Sequence, residues 1–92
     1  MAAEFERKVL DTFMEGGRLK AIPARLKKRR VILAWLAEHF RPAKRYSEEQ
    51  VNHILARYHE DYVALRRYLV DEEFMQRERG EYWRFGTMPY RR

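Results

Sequence analysis

Apolar positions recur at helical spacing along most of the chain and switch to alternation near its end. Phe5, Val9 and Phe13 stand four residues apart and predict a first helix over 3–14, stopped by Gly16-Gly17. Arg18 to Ile22 reads as extended, because Pro23 disfavours helix at the residue before it. Proline also suits the first turn of a helix, so a second helix is predicted over 23–40, closed by Pro42. Its first half, Arg25 to Arg30, is basic on nearly all sides. Its second half, Val31 to Ala37, is apolar on nearly all sides and belongs at the buried centre of the fold.

The next signals are local and sharp. Ser47 is followed three residues later by Gln50, a capping box, and Tyr46 can meet Val51 as a hydrophobic staple. The helix they start carries Val51, Ile54, Leu55 and Tyr58, a complete stripe. A turn near His59-Glu60 leads to a fourth helix, about Asp61 to Glu73, with Tyr62, Leu65 and Leu69 facing the core. Phe74 to Glu78 and Glu81 to Phe85 then read as strands around Arg79-Gly80, a pair suited to a two-residue hairpin turn.

In chain order this is helix, helix, short extended entry at Tyr46, helix, helix, hairpin. The order predicts a mainly α domain with a C-terminal β-hairpin: a winged-helix-like fold with an extra N-terminal helix. The helix-turn-helix occupies 47–73, the wing 74–85 and a loose tail 87–92. A four-helix bundle with a frayed tail is the competing architecture. Tyr82-Trp83-Arg84-Phe85 favours the hairpin, because these are better strand formers than helix formers.

Composition narrows the partners. The 92 residues make one small domain, 1–92, with 46% hydrophobic and 37% charged residues. There is no cysteine, hence no disulfide and no thiolate zinc site. No apolar run is long enough to span a membrane, and the mixed charges of residues 1–15 do not make a signal peptide, so a cytoplasmic chain is expected. The net charge is +6, unevenly spread. Residues 16–46 hold ten basic residues against Glu38 alone, whereas residues 47–73 hold three basic and seven acidic ones. Such a basic block attracts a polyanion, nucleic acid first.

Five blocks resemble a known family. Gly17–Arg29 (GRLKAIPARLKKR), Arg45–Asn52 (RYSEEQVN), Asp61–Asp71 (DYVALRRYLVD), Phe74–Arg77 (FMQR) and Tyr82–Arg84 (YWR) stand in the same order as in the bacterial domain-of-unknown-function family two-zero-eight-seven. The likeness spans about residues 10–85. Domains of that family also occur fused behind helix-turn-helix modules of transcriptional regulators such as the ArsR type. The resemblance thus implies a link to gene regulation, and it implies no catalytic residues. Residues 1–15 are too few to hold such a module, which leaves a stand-alone reader of DNA or an accessory domain as the expectation.

The candidate nucleic-acid-binding residues follow from charge and position. In the basic block they are Arg25, Lys27, Lys28, Arg29, Arg30, Lys44 and Arg45, as phosphate contacts. In the fourth helix they are Arg66 and Arg67; Arg67 points outward and can grip guanine edges, or it bridges to Asp71 one turn on. In the wing they are Arg77, Arg79 at the tip, and Arg84. Glu60 and Asp61 at the start of the fourth helix oppose its close approach to phosphates. Trp35, Tyr46, Tyr62, Tyr82 and Trp83 read as core aromatics rather than stacking platforms, with Trp83 the best stacking candidate among them. His39, His53 and His59 form no i, i+4 pair, so no metal site is expected, and no cofactor or catalytic constellation is either. The chain is read as a non-enzymatic DNA-binding or transcription-associated domain whose partner is duplex DNA. A protein-interaction module, as a homodimer or with a regulatory protein, and an RNA-binding domain are the alternatives.

Overall fold

The computed structural model describes residues 2–87. About half of the described residues are helical, in four helices, with two small antiparallel sheets among them. Helix α1 (Ala2–Phe13) buries Val9, half-buries Phe13 and leaves Phe5 exposed. Gly16-Gly17 stops the helix and also turns the chain back on itself. Both glycines take positive φ (60° and 78°), the backbone of a two-residue hairpin turn. Strands β1 (Met14–Glu15) and β2 (Arg18–Leu19) pair across it. Met14 therefore belongs to a strand, not to the helix predicted to end there. The hairpin is tied to the rest of the domain by Leu19 N–H, which donates to the Tyr58 carbonyl at 2.7 Å.

Helix α2 is shorter than the predicted 23–40 and spans Leu26–Ala37. Pro23 is buried ahead of the helix, and Arg25 is the N-cap, with φ −78° and ψ 133°. The Pro23 and Ala24 carbonyls accept from the Arg29 guanidinium at 3.4 and 3.0 Å, which fixes this segment outside the helix. At the other end, His39 and Phe40 N–H groups donate to carbonyls three residues back, at 3.0 and 3.1 Å. This tightened turn carries the Phe40 ring into the core, edge-on to Tyr46 at 5.1 Å. Ile32, Leu33, Leu36 and Ala37 are buried, as the all-round apolar half of α2 requires.

Strand β3 (Tyr46–Ser47) runs directly into α3 (Glu48–Ala56). The capping box is complete: Gln50 N–H donates to Ser47 Oγ at 3.1 Å, and Ser47 N–H donates to Gln50 Oε1 at 2.8 Å. Helix α4 (Tyr62–Asp71) is capped by Asp61, whose carboxylate accepts from Ala64 N–H at 3.2 Å. It ends before the predicted Glu73. Glu73 takes φ 64° and the chain reverses, with Phe74 N–H on the Leu69 carbonyl (2.8 Å) and Glu73 N–H on the Val70 carbonyl (3.1 Å). That paired reversal usually employs glycine at the position Glu73 holds.

Strands β4 (Met75–Glu78) and β5 (Glu81–Arg84) form the expected hairpin, with Arg79 and Gly80 both at positive φ. Strand β3 pairs with β5 (Tyr46 opposite Tyr82), which gives a sheet of order β3-β5-β4 against the helices. Tyr82 and Trp83 are buried, whereas Phe85, expected as the last residue of the second strand, is 46% exposed beyond the end of β5. Thr87 is not the start of a loose tail. Its hydroxyl accepts from Ala43 N–H at 2.9 Å and donates to the Arg84 carbonyl at 2.7 Å. The rest of the predicted tail lies outside the described residues.

Candidate nucleic-acid interface

The basic block does not become one surface. Helix α2 separates its two parts: residues 18–30 lie before it and in its first turns, and Arg41, Lys44 and Arg45 lie beyond its end. Several of its arginines are bonded within the fold. Arg29 Nε donates to Glu72 Oε2 at 2.7 Å, and the guanidinium lies 4.3 Å from the centre of the Tyr68 ring. Their side chains are 16% and 11% exposed, so a largely buried ion pair joins α2 to the end of α4. Arg30 lies over Phe74 at 4.6 Å and donates to the Glu72 carbonyl at 3.2 Å. Arg18 donates to the Ala56 and Arg57 carbonyls, which end α3 and have no helical partner. Arg45 pairs with Glu81 at 2.5 Å and lies over Trp83 at 5.2 Å. The block leaves Arg25 and Lys27 exposed and Lys28 half-buried at the start of α2, with Lys44 exposed over the Tyr46 ring at 5.0 Å. Among the described residues, no ion pair engages these four.

A second cluster is assembled from separate parts of the chain. Arg66 and Arg67 of α4 and Arg77 of β4 line one cleft of about 310 Å³, together with Glu48, Asp71 and Tyr82. Arg66 is held in place: it donates to the side-chain oxygen of Asn52, and its Nη2 lies 3.9 Å from Glu48 Oε2. Tyr82 donates its hydroxyl to the other Glu48 oxygen at 2.9 Å. Burial holds that hydroxyl above the usual phenol range. The Glu48 bond adds to the rise, while Arg66 and Arg77 pull the other way, so Tyr82 remains a donor at neutral pH. Glu48 is thus shared between Arg66 and Tyr82. Arg67 and Arg77 are exposed, and among the described residues neither makes an ion pair, including the alternative bridge from Arg67 to Asp71. Arg79 is exposed at the hairpin tip, two residues beyond Arg77.

The remaining candidates divide in the same way. Arg84 is half-buried and points at the Phe40 carbonyl, 3.5 Å away, so it closes the end of α2 instead of joining the exposed surface of the β4–β5 hairpin. Trp83 is 5% exposed and donates its ring N–H to Gln76 Oε1 at 3.0 Å, which removes it as a stacking platform for bases. Glu60 is exposed, whereas the Asp61 carboxylate is occupied as a helix cap. Glu48, Asn52 and Glu72, which position or neutralise the arginines, went unnoticed in the sequence. Their partners stand 14 to 43 residues away, and no local spacing announces them. Among the described residues, no group of three or more histidines, aspartates or glutamates comes together to hold a metal, and no helix is long and apolar enough to cross a membrane.

A family model described as an uncharacterised protein conserved in bacteria (DUF2087) matches residues 18–84. The chain belongs to this family. The DUF2087 match starts at β2 and ends at the last residue of β5, so it takes in the whole three-stranded sheet and α2 to α4, and leaves α1 outside. Both arginine clusters lie within it. No curated protein and no solved structure matches the chain.

Proposed function

We propose that the chain is a winged-helix-like DNA-binding domain that docks on duplex DNA through the cleft between α4 and β4, in the service of gene regulation. In this reading α3 and α4 are the helix-turn-helix and β4–β5 is the wing. The order α2-β3-α3-α4-β4-β5 and the sheet order β3-β5-β4 support it. The observation that carries it is the convergence of Arg66, Arg67 and Arg77 on one cleft beside the exposed Arg79. Phosphates supply the negative charge that such a cluster leaves unmatched.

Fluorescence anisotropy of the full chain on a labelled duplex, at several salt concentrations, tests the reading. The logarithm of the affinity is expected to fall against the logarithm of salt with a slope of about 0.9 per phosphate contact. Duplex RNA is expected to compete poorly, because its major groove is too deep and narrow for a helix to enter. Absence of binding at low salt and micromolar protein contradicts the proposal.

A further inference from the structure

Helix α4 carries an exposed face beside the cleft. Its aliphatic residues Leu65 and Leu69 are fully buried, but Val63 is 43% exposed in the first turn. Arg67 stands four residues on, exposed, one turn above Val63 on the same side of the helix. Ala64, between them, adds little bulk and is half-buried, so the helix backbone can approach a partner closely at this point. Arg67 also lines the cleft shared with Arg77, so the face continues directly into the wing.

Resting on the DNA-binding reading above, we infer that this face reads base edges in the major groove, with Val63 against a thymine methyl group and Arg67 on a guanine about two base pairs away. A recognition helix presents its first turns to the bases, which is where Val63 lies. Four residues of helix advance about 6 Å, close to two steps of about 3.4 Å along the duplex. Thymine alone displays a methyl group in the major groove, and an exposed branched aliphatic side chain matches it. Guanine alone offers the paired O6 and N7 acceptors that a guanidinium fork fits. Exposed Glu60, just ahead of the helix, repels phosphates and lowers binding to every sequence alike, so the contrast between a matched and an unmatched site rests on Val63 and Arg67.

The test starts with selection of duplexes from a random library by the full chain. In the enriched duplex, deoxyuridine then replaces thymidine and 7-deazaguanine replaces guanine, one position at a time. At one thymine position the loss of the methyl group is expected to weaken binding by about fourfold. At one guanine position the loss of N7 is expected to weaken it by about tenfold. Val63→Ala is expected to bind the thymine and uracil duplexes equally, and Arg67→Ala to ignore the 7-deaza change. Both variants are surface changes, and unaltered melting curves show that they fold. Salt-dependent binding with no enriched sequence, or an enriched site indifferent to both analogues, overturns the readout and leaves DNA binding standing. No binding to any duplex overturns both.

Discussion

The start of α2 holds five cations and the cleft between α4 and β4 three, and the two places use them differently. At the start of α2 the cations are adjacent in sequence; Arg29 is bonded inside the fold to Glu72 and Tyr68, and half-exposed Arg30 lies over Phe74 and donates to the Glu72 carbonyl. In the cleft they come from α4 and β4, and Arg67 and Arg77 remain exposed. Arginine lends itself to both uses because its planar fork stacks on aromatic rings and grips carboxylates as readily as phosphates. A dense run of basic residues is therefore a poor guide to surface potential until the acids and aromatics opposite it are known. At the α2 start Arg25, Lys27, Lys28 and part of Arg30 are left to act on solvent.

The largest expected effect concerns the hairpin that supplies one wall of the cleft. Deleting the chain from Phe74 removes β4 and β5, with buried Met75, Tyr82 and Trp83. Cooperative thermal unfolding is expected to vanish, and a fragment that melts as sharply as the whole chain breaks the account of how the cleft is built. Next comes the buried pair. Glu72→Ala leaves Arg29 without its partner in a largely buried place and is expected to cost about 3 kcal/mol in denaturant unfolding. Arg67→Ala is expected to change stability by less than about 0.5 kcal/mol. Equal costs for the two erase the distinction between structural and solvent-facing arginines.

Smaller effects test how the start of α3 and the end of α4 are held. Ser47→Ala is expected to cost about 1 kcal/mol through the lost cap, with helix content unchanged by circular dichroism. Glu73→Gly is expected to stabilise the fold by about 0.5–1 kcal/mol in the same assay, because it relieves a positive φ that a side chain resists. A loss of stability on that change means that the Glu73 side chain does more than occupy the turn.

What could be read from the sequence was local. The Ser47–Gln50 capping box, the Arg79-Gly80 turn and the buried half of α2 depend on residues within one or two turns of each other. The β1–β2 hairpin was not legible, because two residues per strand carry no alternation to detect. Pro23 pointed to a helix start three residues too early, because its carbonyl is claimed by Arg29, a contact made only after folding. The fate of the arginines was legible least of all. Arg29 meets Glu72 across 43 residues and Arg66 meets Asn52 across 14, so which cations stay free is a property of the assembled core.

The proposed polyanion contact runs through the α4–β4 cleft and not through the α2 block. Salt-dependent anisotropy on one duplex, comparing the cleft-side Arg77→Ala/Arg79→Ala with Lys27→Ala/Lys28→Ala, distinguishes the two. The cleft variant is expected to lose about 1.8 from the slope of log affinity against log salt, two contacts at about 0.9 each, while the block variant keeps nearly the wild-type slope. The reverse order, a block variant with the reduced slope and a cleft variant like wild type, contradicts the account.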